Sequence, residues 1–242
     1  QQYLPPATCQ PCHKNEEGLW TDGAHGEAVE ARDEDAPNCN ECHSDYHTMS
    51  LARMTTDVLH PENIVALCGD CHGDEGVLKR HPKLKQDAVP TYKNTIHYRG
   101  IMVAGLMAAN CSDCHGPHKN LPKADDASSI SLINTINTCG ECHEKPMRSV
   151  WASTPGQELL AGNMESANCS SCHTGHNEIR VETTEFKINS IGICGECHEE
   201  NLRTYRESYH GKAATLGSID TAHCYDCHNF HDLYGPGDRL ST

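Results

Sequence analysis

Cysteine and histidine recur along this chain in one fixed pattern, CxxCH. In the stretch 194–231, two such motifs, CGECH and CYDCH, enclose the lone His210, and His231 follows the second motif at close range. CxxCH is the attachment signature of a c-type haem. The two thiols form thioethers with the porphyrin, and the adjacent histidine becomes the proximal ligand of the iron. The lone histidines are then placed to bind the opposite face of the iron.

The 242-residue chain contains eight of these motifs, and they include all 16 of its cysteines. The cysteine pairs are Cys9/Cys12, Cys39/Cys42, Cys68/Cys71, Cys111/Cys114, Cys139/Cys142, Cys169/Cys172, Cys194/Cys197 and Cys224/Cys227. The histidines that follow them, which we expect to be the proximal ligands, are His13, His43, His72, His115, His143, His173, His198 and His228. Disulfides or zinc sites would not predict a histidine after every pair and no cysteine left over. The sequence therefore predicts eight covalently bound haems c.

The composition leaves little material for an ordinary hydrophobic core. Hydrophobic residues make up 36% of the chain and aromatic residues only 5%, whereas roughly 45–50% apolar residues, a figure that also counts glycine, are usual in globular domains. So few large apolar side chains do not offset the conformational entropy of the chain. We therefore expect the porphyrins to form the core and the chain without haem to be largely unfolded. The predicted fold is mostly irregular, with short α-helices and little β-structure.

The motifs pair into four modules, which indicates an internal repeat. From the first to the second motif the cysteine separation is 30 residues in modules one, three and four, and 43 in module two. We predict four di-haem modules at residues 1–50, 51–122, 123–180 and 181–242, the second with an insertion at 73–96.

Lone histidines recur at fixed offsets within these modules. One type lies 14 residues before the first cysteine of a second motif, and the other follows the proximal histidine of a second motif by three or four residues. Seven histidines obey this rule, and we expect each to be a distal iron ligand: His25, His47, His97, His118, His176, His210 and His231. Imidazole on both faces gives low-spin, six-coordinate iron. Without an axial methionine, which raises the potential, these haems should have low potentials.

An aromatic residue stands five positions before three of the lone histidines. These residues are Trp20, Tyr92 and Tyr205. Stacking on a porphyrin and ordinary packing both remain open for them.

The third module departs from the rule at Pro155. This residue lies 14 positions before Cys169, where a histidine is expected, although Gly156 follows it as Gly26 and Gly211 follow their histidines. One expected iron ligand is therefore missing.

Three histidines remain for the eighth iron: His60, which we favour, then His81, and finally His223. His223 is ranked last because it directly precedes Cys224, where other modules carry asparagine. Met147 and Met164 are minor candidates. Alternatively, the haem on Cys139/Cys142, with His143, is five-coordinate and binds a substrate.

The modules resemble the paired-CXXCH family of multihaem cytochromes. The matching residues are the pairs His25-Gly26 and His210-Gly211 and the CxxCHxxH elements that end at His118, His176 and His231. Pro155, the longer offset to His47 and Tyr98 in place of glycine depart from the pattern. The resemblance implies closely stacked bis-histidine haem pairs. The haem density is also similar to that of extracellular cytochromes of metal-respiring microbes, some of which polymerise into conductive filaments.

The net charge of −15 argues against nucleic acid as a partner, because phosphate contacts need lysine and arginine. Other redox proteins, a basic docking surface, or mineral and metal acceptors are the expected partners. The longest apolar run, at 101–109, is too short for a membrane span. We see no signal peptide, so we expect the mature chain to begin at Gln1, outside the cytoplasm.

Together these features predict an octahaem c-type cytochrome that is an electron-transfer wire and not an enzyme. It would be secreted or at the cell surface, and head-to-tail contacts between copies would extend it into a conductive filament. Two alternatives remain: a monomeric periplasmic electron shuttle, and an octahaem reductase of nitrite, hydroxylamine or tetrathionate. The reductase needs an open iron inside a pocket. It rests on Pro155 alone, because all eight motifs end in histidine and none is CxxCK.

Overall fold

The structure is a computed structural model that describes residues 8–43 and 59–235. Within these ranges the chain forms short α-helices joined by turns and loops, and it contains no β-strand. The helices are α1 (Lys14–Thr21), α2 (Ala24–Glu30), α3 (Cys39–His43), α4 (Pro61–His72), α5 (Glu75–Arg80), α6 (Ala88–Tyr92), α7 (Ile96–Ala104), α8 (Cys111–His115), α9 (Asn134–Gly140), α10 (Glu144–Ala152), α11 (Thr154–Leu160), α12 (Cys169–Cys172), α13 (Thr184–Cys197), α14 (Glu199–Glu207), α15 (Tyr209–Thr215) and α16 (Cys224–His228). The predicted helix-and-loop fold is confirmed.

The chain divides into two compact units, Gln1–Asn134 and Thr135–Thr242, and each contains four CxxCH motifs. In the first unit, α4 contacts α5, α6, α7 and α8. In the second unit, α13 contacts α12, α14 and α16. The helix that carries the third motif of each unit is therefore the one around which its neighbours pack. The finer division into four di-haem modules stays a prediction.

The polypeptide contributes only a small apolar interior to the described regions. The buried hydrophobic residues are Ile64, Val65, Leu78, Tyr92, Ile101, Ile136, Leu159, Ile191 and Ala214. Several large apolar side chains remain in contact with solvent, among them Met107 at 93% exposure and Leu216 at 89%. This distribution agrees with the low apolar content of the sequence.

Helices begin one residue before the lone histidines, earlier than the sequence predicts. The residues after these positions predict helices at 27–32, 102–109 and 212–216, whereas α2, α7 and α15 begin at Ala24, Ile96 and Tyr209. The hydroxyls of Thr95 and Ser208 accept hydrogen bonds from N–H groups in the first turns of α7 and α15. Such N-caps stabilise a helix by about 1 kcal/mol. Since α7 ends at Ala104 before Gly105, which has a φ of 61°, residues 105–109 are not helical.

The glycine after each lone-histidine position packs directly against backbone. A Cβ atom added to Gly26, Gly156 or Gly211 would overlap the carbonyl oxygen of the residue six positions earlier. Backbone atoms cannot move aside as the end of a flexible side chain can. The three positions therefore share one local structure, although a proline precedes Gly156 and a histidine precedes the other two.

We expect Gly156→Ala to lower the free energy of unfolding of the haem-loaded protein by about 1–3 kcal/mol, because overpacking forces the backbone to shift. Gly192→Ala is the matched control. Gly192 also lies in a helix of the second unit and has open space at its Cβ position. The equivalent position of the first unit, two residues before its third motif, is already an alanine, Ala66. This control should be neutral or stabilising by up to about 1 kcal/mol. Equal losses in guanidinium unfolding would contradict the packing explanation.

Candidate haem sites

Cysteines of consecutive motifs lie beside one another within each unit. The first cysteines of two motifs hydrogen-bond to each other, in the pairs Cys9/Cys39, Cys68/Cys111, Cys139/Cys169 and Cys194/Cys224. The second cysteines interact electrostatically in the pairs Cys42/Cys71 and Cys172/Cys197. The attachment points therefore follow the order of the motifs in the chain, from the first to the fourth motif of each unit.

The second cysteines of the motifs are mostly exposed. Exposed are Cys12, Cys71, Cys142, Cys172, Cys197 and Cys227, whereas Cys42 and Cys114 are half-buried. The thioether role of all 16 cysteines stays a prediction from the motifs.

The cysteines are free thiols, which is the state that haem attachment requires. All 16 cysteines are free of disulfides. Burial, and then the neighbouring Cys9 thiol, raise the pKa of Cys39 to about 11. In the pair Cys194/Cys224, the hydrogen bond from Cys194 lowers the pKa of Cys224 to about 7. Such pairs of unbonded thiols beside a histidine fit thioether attachment of a porphyrin.

Three pairs of histidine rings lie at closely similar separations. In the first unit, the ring centroids of His25 and His72 are 6.2 Å apart and those of His43 and His118 are 6.0 Å apart. In the second unit, His173 and His231 are 6.3 Å apart. Each pair joins a predicted proximal ligand to a predicted distal ligand.

These separations fit one iron between two imidazoles. Metal–imidazole bonds are about 2 Å long, so two imidazoles on opposite sides of one metal have ring centroids about 6 Å apart. Burial lowers the pKa of His72, and burial together with the opposing histidine lowers the pKa of His25 and of His173. Since the neutral imidazole is the form that binds a metal, these environments favour ligation.

The histidine pairs connect the two predicted modules of each unit. His25 of the first module lies opposite His72 of the second, and His118 of the second lies opposite His43 of the first. His231 likewise belongs to the fourth module and faces His173 of the third. In all three pairs, therefore, the predicted distal ligand comes from the neighbouring predicted module.

The remaining predicted distal ligands are placed as follows. The Nδ1 atom of His210 lies 3.2 Å from Oγ1 of Thr221, which leaves Nε2 for a metal and orients the ring. His97 lies in α7 and His176 follows α12, and both are half-buried. Their assignment as ligands stays a prediction. His47 lies outside the described residues.

Pro155 occupies the second position of α11, after the N-cap Ser153. Proline fits the first turn of a helix, where the missing N–H would have no intrahelical acceptor. The local helix start thus survives the substitution. The side chain at that position, however, has no atom that can bind iron.

The three histidines considered for the eighth iron have other contacts. His60 caps α4, its Nδ1 accepting the N–H of Glu62 at 3.4 Å. Its ring contacts no proximal histidine in the described part of the chain. His81 lies 2.9 Å from the carboxylate of Asp35, whose pKa is held at about 2 by hydrogen bonds from Arg80 and then His81.

His223 is 2% exposed and serves as the N-cap of α16. It stands where Asn110 and Asn168 cap α8 and α12. Its backbone N–H donates to the Asp226 carboxylate at 2.7 Å, and its ring stacks on that of Tyr225 at 5.4 Å. The structure thus places His223 at the N-cap position of α16, and its buried Nε2 has no hydrogen-bond partner in the described residues. Its rank among the candidates stays a prediction.

The two tyrosines that precede lone histidines hydrogen-bond to the chain just before the second motif. The hydroxyl of Tyr92 donates to the carbonyl of Ala109 at 2.6 Å, and that of Tyr205 donates to the carbonyl of Ala222 at 2.8 Å. Both acceptors stand two residues before a CxxCH motif. Of the two open interpretations, ordinary packing thus accounts for the hydroxyl groups of these two tyrosines.

The chain is 23% identical over 176 residues to the Cytochrome c-type protein NapC of Haemophilus influenzae. The match covers 70% of this chain and 67% of NapC. The likeness supports a c-type cytochrome. It agrees with the motifs in indicating covalently bound haem c and an electron-transfer role. No protein-family model matches the chain, and no solved structure matches it significantly.

None of the helices in the described ranges combines the length and the apolar character that a membrane crossing requires.

Proposed function

We propose that the protein is an octahaem c-type cytochrome that conducts electrons along a row of neighbouring haems outside the cytoplasm. The observation that carries this proposal is the contact between cysteines of consecutive motifs in each unit. Because the thioether bonds would fix each porphyrin to its cysteines, adjacent attachment points favour adjacent haems. Electron transfer needs such closeness.

The eight cysteine pairs would hold the porphyrins, and the histidine of each motif would be the proximal ligand. Bound haem supplies an iron that alternates between ferric and ferrous states and so accepts and releases one electron. The chain sets the environment of that iron. Opposed imidazoles, such as those of His43 and His118, would hold the iron on both faces and favour a low potential.

The acidic character of the chain favours particular partners. With a net charge of −15, it would be steered toward redox proteins with a basic docking surface, or toward metal ions and minerals. A head-to-tail contact between copies would join the haem rows into a filament for extracellular electron transfer. Secretion or display at the cell surface is the location that suits such a filament. A monomeric periplasmic shuttle is the simpler form of the same function.

Haem counting and a reductive titration test the proposed function. Intact-protein mass should show eight haems per chain, and a low-potential donor should reduce all of them in one connected process. Fewer haems, or a haem that stays oxidised while the others are reduced, would contradict the wire. Electron microscopy of the same sample distinguishes filaments from the shuttle.

A reductase is the second candidate, and Pro155 is the observation that favours it, because an iron without a distal ligand can bind a substrate. Turnover of nitrite, hydroxylamine or tetrathionate by the reduced protein would support it. Turnover no faster than the background rate would exclude the reductase and favour the electron carrier.

A further inference from the structure

We propose that the iron of the haem on Cys194 and Cys197, above His198, is the one that receives no distal ligand from its own unit, an inference that rests on the haem attachment proposed above. Its sixth position would bind small neutral donors: imidazole when ferric and carbon monoxide when ferrous. This assignment differs from the sequence expectation. That expectation placed the open iron on Cys139/Cys142, the motif that precedes Pro155 in the chain.

Each unit contains an equivalent backbone hydrogen bond, and these two hydrogen bonds align Pro155 with His25. In the first unit the N–H of Ala24 donates to the carbonyl of Asn120 at 2.8 Å, and in the second the N–H of Thr154 donates to the carbonyl of Leu233 at 2.7 Å. The two acceptors stand two residues after His118 and His231, respectively. Ala24 and Thr154 are therefore equivalent, and so are the residues that follow them.

The glycines support the same alignment. Gly26 and Gly156 pack against the carbonyl oxygens of Trp20 and Val150, each six residues earlier. The helices that contain them, α2 and α11, have seven residues each. Pro155 thus takes the structural place of His25 as well as its place in the sequence repeat.

The equivalence extends to the partners of these positions. His118 and His231 each lie opposite the second motif of their own unit, at His43 and His173. His25 lies opposite the third motif of the first unit, at His72.

The third motif of the second unit ends at His198. Cys172 and Cys197 interact as Cys42 and Cys71 do, so the second and third motifs of the two units are arranged alike. The ligand that Pro155 replaces would therefore have served His198.

The other histidines of the second unit are assigned elsewhere. Besides its four proximal histidines, the segment 135–242 contains His176, His210, His223 and His231. His231 faces His173, and the ring of His223, the N-cap residue of α16, stacks on that of Tyr225. His176 and His210 then remain for the fifth and eighth motifs. His198 is exposed, and no ring lies opposite it in the described residues.

Removing single haems tests this assignment. The wild-type protein, reduced with dithionite, should bind about one carbon monoxide per chain, and the oxidised protein should show one high-spin signal in low-temperature EPR that imidazole converts to low-spin. The double variant Cys194→Ala/Cys197→Ala should lose both properties. The matched variant Cys139→Ala/Cys142→Ala, which removes the fifth haem, should keep both. The opposite pattern, or a wild type with only low-spin iron and no carbon monoxide binding, would overturn the assignment.

A second pair of variants keeps every haem in place. Pro155→His should abolish carbon monoxide binding, because it restores an imidazole at the position equivalent to His25. His25→Pro should add a second carbon monoxide site in the first unit. Unchanged binding in Pro155→His would contradict the inference. Haem content measured by mass distinguishes failure of the proposed function from failure of this assignment. Fewer than eight haems would refute the proposed function. Eight haems with an open iron at the fifth motif would refute only the assignment to His198.

Discussion

Without haem attachment, the chain should give the far-UV circular dichroism of an unfolded polypeptide and no cooperative thermal transition. The described residues bury few hydrophobic side chains, such as Ile136 and Leu159, and several of the other large ones are exposed. Each fully buried large side chain contributes about 1.5–3 kcal/mol, while ordering costs roughly 1–2 kcal/mol for every residue. The porphyrins must therefore supply most of the apolar interior. The test is expression in a host without haem ligation, compared with the haem-loaded protein.

A variant that keeps half of the motifs makes this test sharper. Alanine at all eight cysteines of the second unit should leave residues 1–134 resistant to limited proteolysis and residues 135–242 rapidly digested, because each unit contains its own four motifs. Protection of both units, or a cooperative transition in the haem-free chain, would show that the polypeptide has a sufficient core of its own.

His118→Ala should convert one haem from low-spin to high-spin iron and create an additional carbon monoxide site. The ring of His118 lies parallel to that of His43, within 13° and at 6.0 Å between centroids. Its loss would leave the iron of the second motif with one imidazole. His231→Ala should have the same effect on the sixth motif, because the ring of His231 lies opposite that of His173. Low-temperature EPR and carbon monoxide titration measure both variants.

His60→Ala is the control for these variants. His60 was the favoured distal ligand for the eighth iron on sequence grounds, whereas the structure shows its Nδ1 capping α4 through Glu62. We expect unchanged EPR spectra and a loss of about 1 kcal/mol of stability, the usual value of an N-cap. A new high-spin signal in His60→Ala would restore it as a ligand. A low-spin spectrum in His118→Ala would contradict the pairing with His43.

Some of the helix starts have local signals in the sequence. Thr95, Ser153 and Ser208 stand two residues before the lone-histidine positions, and N-cap preference would have placed the helix starts correctly. The asparagines before the second motifs are caps of the same kind, and they explain why His223 could replace one of them.

The sequence by itself determined the chemistry of this protein and the class of its fold. Thioether attachment and proximal ligation depend on five consecutive residues, so the eight CxxCH motifs predict them without any structure. The low apolar content likewise predicts short helices around a non-polypeptide core. These properties are local or compositional.

Only the tertiary structure decided which histidine lies opposite which motif. His25 is closest in sequence to the first two motifs, yet its ring faces His72 of the third. For the same reason, the effect of Pro155 falls on His198 in our proposal and not on the neighbouring His143. Two predicted ligands of one iron need only meet in space, and packing within each unit brings together histidines whose separation along the chain follows no local rule.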